Sequence, residues 1–206
     1  GMGGVRALRA LGYTPNAWHM NEGHSAFLAL ERALEFVKQG LTFEQAAAEV
    51  RKNNIFTTHT PVPAGNDQFP LWLVDKYLSQ VWPELGLSRD DFMELGRQTM
   101  PWGESFVMPV LALRLSEGRN GVSDLHGQVS RKMWNFLWPD RRAEAVPLTH
   151  ITNGVHMPSF LARRMRLLFD QYLGADWMPR MDEPETGTKL DDIPAEKNRF
   201  PILAIT

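Results

Sequence analysis

Two strand-then-helix alternations occupy the first sixty residues, and no other feature of this chain narrows its fold as sharply. Asn16-Ala17-Trp18-His19-Met20 reads as a short strand. Phe27, Leu28, Leu30, Leu34 and Val37 then form the apolar stripe of a helix capped by Asn21 and ending near Gly40. Thr42, with Glu44 and Gln45 in the following turn, caps a second helix carrying Ala46, Ala47 and Val50, and Asn54 to Thr58 is the next strand. Such alternation predicts an α/β fold with a parallel sheet and helical crossovers. Ahead of it, Val5, Leu8 and Leu11 share one face of a short helix stopped by Gly12.

Further along, Leu71 to Leu78, Arg89 to Leu95 and Asp124 to Phe136 read as helices, the last with Val129, Met133 and Phe136 inward. The apolar run Val107 to Leu115 fits helix or strand by length, and the spacing of Leu111, Ala112 and Leu115 favours helix. Asn120 to Ser123 reads as a tight connection, Leu148 to Thr152 as a strand ending in the Asn153-Gly154 turn, and Phe160 to Tyr172 as an amphipathic helix stopped by Gly174. From Pro179 to Pro194 the chain is polar and proline-rich, the composition of a linker or surface arm.

Composition excludes several functions. With 43% hydrophobic residues in 206, a core is assured. A net charge of -2 with scattered Lys and Arg offers no electrostatic footprint for nucleic acid. The absence of cysteine removes disulfides, thiolate metal sites and a thiol nucleophile, and suits a reducing compartment. No apolar run approaches the roughly 18 residues of a membrane span, and the start lacks a signal-peptide pattern. The expectation is a cytoplasmic protein with no membrane partner. The apolar close Ile202-Leu203-Ala204-Ile205-Thr206 reads as the cut edge of something longer.

Chemistry-bearing residues gather at strand ends. The run Ile55 to Thr58 stops in His59-Thr60-Pro61-Val62-Pro63-Ala64-Gly65-Asn66-Asp67, where two prolines fix an extended, stiff backbone leaving His59. Asn21-Glu22-Gly23-His24 and Thr152-Asn153-Gly154-Val155-His156 follow two other strands, and in a parallel sheet such ends can converge on one crevice. Taken singly, each residue has a better structural account: Asn21 and Glu22 as helix caps, His24 and His126 as hydrogen-bonded core residues, Asn153-Gly154 as a turn. Together the three clusters point to a site for a hydroxyl-rich ligand, and seven tryptophans would suit sugar rings. Zinc binding by His19 and His24 around Glu22 fails on spacing, because residues five apart point to different faces of a helix. Gly23 to Phe27 fails as a nucleophile elbow because Phe27 is too large for its last position, and no phosphate-loop or dinucleotide motif occurs.

Four segments in order carry a resemblance: Trp18 to Arg32 (WHMNEGHSAFLALER), Thr57 to Pro70 (TTHTPVPAGNDQFP), Asn120 to Arg131 (NGVSDLHGQVSR) with Met133-Trp134, and His150 to His156 (HITNGVH). They resemble the α-glucan (glycogen/maltodextrin) phosphorylases, especially the short prokaryotic type. The opening Gly1 to Leu11 resembles the same family, which argues against Gly1-Met2 being a tag remnant. The resemblance implies the parallel-sheet, Rossmann-like portion of a GT-B glycosyltransferase fold, with 1–178 as part of the N-terminal domain and 179–206 as a linker or arm towards a second, C-terminal domain missing from this chain. It implies reversible phosphorolysis of an α-1,4-glucan to glucose 1-phosphate with retention, assisted by the phosphate of pyridoxal phosphate. His59 matches the active-site histidine whose main-chain carbonyl serves the glucosyl unit. Glu22, His24, Thr60, Asn21 and Asn153 match positions lining the substrate side. Asn66 departs from an expected histidine. The Gly-Thr-Ser-Gly-Met-Lys type segment that holds the cofactor does not occur, and Lys132 in Ser130-Arg131-Lys132-Met133 is unrelated to it. The departure after Ala195, through Lys197-Asn198-Arg199-Phe200-Pro201, fits a linker, a frame change or true divergence alike.

Three functions compete on these terms. One is a phosphorylase fragment, inactive alone for want of the cofactor and phosphate-binding half, with self-association through its uncovered apolar surface. Another is a free-standing carbohydrate-binding or scaffold module derived from the family. The last is a metal-dependent hydrolase built on the histidines.

Overall fold

The computed structural model describes residues 1–101 and 103–194. The departure after Ala195 and the apolar close from Ile202 lie outside the described residues. The chain divides into two compact units, one ending at Asn153 and the other beginning at Gly154.

The first unit begins with helix α1 (Met2–Ala10), tied to helix α2 (Phe27–Val37) by a two-pronged Arg6–Glu31 pair at 2.7 and 2.8 Å. Strand β1 (Trp18–Asn21) precedes α2, and helix α3 (Phe43–Asn53) leads directly into strand β2 (Asn54–Thr57). Thr42 forms the capping box expected of it, with Gln45 as the reciprocal partner. The alternation thus folds as read: β1 and β2 are parallel neighbours with α2 and α3 as the crossover. A buried arginine fixes the start of β2. Arg32 on α2 donates to the side chains of Asn53 and Asn54 and lies 5.0 Å over the Trp18 ring, and burial pushes its guanidinium down to about 10.

Between β2 and the next strand of the main sheet the chain builds a second, antiparallel sheet that the sequence reading did not anticipate. Strands β3 (Gln68–Pro70), β4 (Arg97–Met100) and β5 (Gly103–Val107) pair in the order β3-β5-β4. Helices α4 (Leu71–Leu78), α5 (Val81–Glu84) and α6 (Arg89–Glu94) lie between β3 and β4. These strands are short, and their residues show no two-residue apolar alternation, so pairing and burial rather than propensity make them. The Val107 to Leu115 run resolves into both states: Val107 closes β5, and α7 (Met108–Arg114) follows with Pro109 in its first turn. Residues Met108 to Leu113 of α7 are all buried, so no polar face distinguishes helix from strand by pattern.

The main sheet then resumes with β6 (Gly118–Gly121), helix α8 (Asp124–Met133) and β7 (Thr149–His150), giving four parallel strands in the order β1-β2-β6-β7. Asn120 and Gly121, read as a connection, lie inside β6, where a strand flanked on both sides needs no β-branched residues to hold it. β7 is shorter than read. Trp134, not Phe136, is the aromatic buried beyond α8, because the helix ends at Met133 and the chain turns there.

Aromatic rings tie the antiparallel sheet to α2 and α6. Phe106 on β5 lies 5.9 Å from Phe92 of α6 and 6.1 Å from Phe27 of α2. Gly96 sits against that ring so closely that a Cβ would stand 2.6 Å from Phe106 Cε1. The second unit holds α9 (Met157–Phe160), α10 (Arg163–Leu173) and α11 (Pro184–Thr188), with Trp177 buried edge-on against Phe169 of α10 at 5.2 Å and donating to Asp170. Among the described residues no helix is long and apolar enough to cross a membrane.

Because no flexible side-chain end stands in its way to yield, Gly96→Ala should overpack the Phe106 contact and lower stability by about 1–3 kcal/mol. Urea denaturation with an unchanged m-value measures this.

Candidate functional site

Parallel pairing puts the C-terminal ends of β1, β2, β6 and β7 on one edge of the main sheet. In the register, Asn21 lies beside Thr57 and Thr57 beside Asn120, so their side chains, with His19 two residues back, share one face. The opposite face carries the buried Trp18, Met20 and Phe56. Thr57 links the polar row. Its hydroxyl donates to Asn120 Oδ1 at 2.9 Å and accepts from His19 Nε2 at 2.7 Å. With its single proton committed to Asn120, Thr57 requires His19 Nε2 to be the protonated ring nitrogen, which leaves Nδ1 as the acceptor.

Hydrogen bonds continue past the strands. Glu22 N–H donates to the Thr57 carbonyl at 2.9 Å, Thr58 N–H to Asn120 at 3.0 Å, Ile151 N–H to Gly121 at 2.9 Å and Asn153 N–H to Val122 at 3.1 Å. The polar segments therefore leave the sheet in register rather than fraying from it.

The backbone of Glu22 is exceptional: φ 73° and ψ 169° lie in a region that is essentially glycine's alone. Its carboxylate faces the histidine loop. Oε2 accepts from His59 N–H at 2.7 Å and from Thr60 Oγ1 at 3.1 Å, while Oε1 accepts from Gly23 N–H at 3.3 Å and Thr58 Oγ1 at 3.5 Å. The His59 ring turns back to β1, with Nε2 bonded to Asn21 Oδ1. No described residue donates to the His59 carbonyl, so that acceptor is available at the exposed end of the loop.

The structure thus brings Asn21, Glu22, His59 and Thr60 into one hydrogen-bonded group. His24 stands exposed in the 3-10 turn Gly23–Ser25, neither in the core nor hydrogen-bonded to a described residue, and Asn21 caps no helix because α2 starts at Phe27. Asn153 is exposed just past β7 on the same sheet edge. His156 belongs to the second unit, where its Nδ1 pairs with Ser159. Asn66 is buried, and neither atom of its amide has a partner among the described residues. His126 is buried as read, accepting from Val122 N–H. Sequence reasoning missed the Thr57–Asn120–His19 row. That reading ended the strand at Met20, one residue short of Asn21, and the partners from β2 and β6 depend on a register the sequence does not show.

Nothing here resembles a metal centre: among the described residues no three His, Asp or Glu side chains come together. Each described lysine, Lys189 among them, is exposed. Lys38 pairs with Glu84, Lys52 with Glu49, Lys76 lies over Tyr77, and Lys132 is exposed on α8.

Comparison with known proteins relates the sequence to proteins of one kind. Over 86% of its length the chain is 43% identical to the maltodextrin phosphorylase of Thermococcus litoralis. It is 44% identical over 94% of its length to the glycogen phosphorylase of Mycobacterium tuberculosis, and 33% identical over 96% to that of Aquifex aeolicus. The chain is related to the glycogen/maltodextrin phosphorylases. The match takes in only 21%, 23% and 28% of those three proteins, as it would for a fragment of a phosphorylase. No family model matches the chain. Its parallel four-stranded sheet is compatible with a Rossmann-like portion of such a protein.

Thr57→Val keeps the shape of the side chain and removes its hydroxyl, leaving the buried Asn120 amide oxygen without its donor. The chain should lose about 1–3 kcal/mol of stability in urea, and the His19 ring should lose its single tautomer by 15N NMR.

Proposed function

We propose that this chain forms one wall of a glucan-binding cleft in a phosphorylase of GT-B architecture. The reaction served would be reversible phosphorolysis of an α-1,4-glucan with retention of configuration. In that reaction the bond from C1 of the terminal glucosyl unit to the glycosidic oxygen breaks, a phosphate oxygen bonds to C1, and a proton passes to the released 4-hydroxyl. The observation that carries the reading is the clamped loop: a stiff strand end presents at His59 a main-chain carbonyl to which no described residue donates, beside hydroxyl- and amide-bearing side chains, in a chain related to phosphorylases.

In this reading the His59 carbonyl accepts from the glucosyl unit and, as a fixed dipole, favours the positive charge that develops at C1. Asn21, His24, Thr60 and Asn153 flank it as contacts for sugar hydroxyls. Glu22 lies on the same wall, its carboxylate already engaged by the loop. Pyridoxal phosphate would be held by residues outside this chain, since the Gly-Thr-Ser-Gly-Met-Lys type segment does not occur in it. Turnover by this chain alone is not expected, because positioning and charge stabilisation of the phosphate would fall to that other part.

Isothermal titration with maltoheptaose tests the reading. The chain should bind it and, with phosphate added, release no glucose 1-phosphate. His59→Ala keeps the carbonyl, so its Kd should stay within about threefold of the parent, whereas loss of a side-chain hydrogen bond would weaken binding by about tenfold. Absence of maltoheptaose binding, or a collapse of affinity in His59→Ala with the fold intact, would contradict the proposal.

A further inference from the structure

We propose that Glu22 is a positioning residue, whose carboxylate clamps the His59 amide and the Thr60 hydroxyl and so sets the direction of the His59 carbonyl; the carbonyl's role rests on the glucan reading above. An ionised carboxylate offers about four acceptor sites, and four donors from Gly23, Thr58, His59 and Thr60 face this one. The side chain is therefore committed to the protein rather than open to a sugar hydroxyl. Two of those donors are backbone N–H groups on different oxygens, so a glutamine, with one amide oxygen, could accept from only one of them and would set its NH2 against the other.

The backbone supports the same assignment. A non-glycine residue at φ 73° and ψ 169° is strained, and such strain persists only where the surroundings over-determine it. Here they do. The Glu22 amide is bonded to Thr57, its carbonyl accepts from Ser25 Oγ, and Gly23 beyond it packs so tightly on α7 that a Cβ would stand 2.7 Å from Pro109 Cδ. Strand β1 on one side and the buried α7 on the other hold residue 22 in a conformation that directs its carboxylate at the amide two residues past β2. A glycine would adopt that backbone without strain and supply no carboxylate, so the residue present is the one that makes the clamp.

Amide hydrogen exchange by NMR on the whole chain, without ligand, tests the clamp through Glu22→Gln and Glu22→Gly. In Glu22→Gly the His59 amide should exchange about tenfold faster or more, and in Glu22→Gln the amide that faces the new NH2, of His59 or of Gly23, should do so. The Glu22-position and Thr58 amides, bonded to Thr57 and Asn120, should stay within about twofold. Glu22→Gly, relieved of strain, should be no less stable than the parent towards urea. Maltoheptaose affinity should fall about tenfold in Glu22→Gly. An unchanged His59 amide in Glu22→Gly overturns the proposal, with or without lost affinity, since lost affinity alone would make Glu22 a direct sugar contact. Uniformly faster exchange across the sheet also overturns it, by making Glu22 a residue of general stability. If the parent chain binds no maltoheptaose, the glucan reading fails while the exchange data still decide whether Glu22 holds the loop.

Discussion

The strand-end edge of this molecule depends on the parallel register that sets Asn21, Thr57 and Asn120 abreast. Once those residues are level, the Thr57 hydroxyl can bond forward to Asn120 and receive His19, and the Thr57 carbonyl can receive Glu22 N–H. A slip of one residue in either strand pair would turn these side chains to the face that holds Trp18, Met20 and Phe56. Burial of those three large side chains therefore enforces the polar register on the other face. Hydrophobic packing supplies the free energy, and the hydroxyl and amide network converts it into a defined arrangement of polar groups.

From that register the loop acquires its rigidity in stages. Glu22 continues the ladder from β1, its unusual backbone turns its carboxylate across to β2, and His59 and Thr60 are held by it. Gly65 completes the turn beyond, where a Cβ would press on the Thr60 methyl at 2.9 Å. Prolines at 61 and 63 remove further freedom from the same stretch. A ligand meeting such a loop need not order it first, so little binding energy is lost to conformational entropy.

Parts of this were legible in the sequence for identifiable reasons. The amphipathic stripe of α2 and the Thr42–Gln45 box of α3 are local signals, and their alternation with two short strands implied the parallel pairing of β1 and β2. The cluster of Asn21, Glu22, His59 and Thr60 could be placed at strand ends for the same reason. The antiparallel sheet was not legible, because strands such as Arg97–Met100 carry no periodic pattern and exist through their partners. Nor was the part played by Glu22. Its composition suggests a helix cap or a ligand contact, and only the positive φ and the four donors facing the carboxylate point to the loop instead.

The account stands on the strand-end edge being the surface that meets an α-glucan. Chemical-shift mapping of the 15N-labelled chain with maltoheptaose, and with a β-1,4-linked glucan of equal length, addresses that most directly. The account predicts shifts from maltoheptaose centred on residues 19–24, 57–60 and 153, and none there from the β-linked chain. Shifts confined to the exposed Trp72 and Tyr77, or equal responses to both glucans, would contradict it.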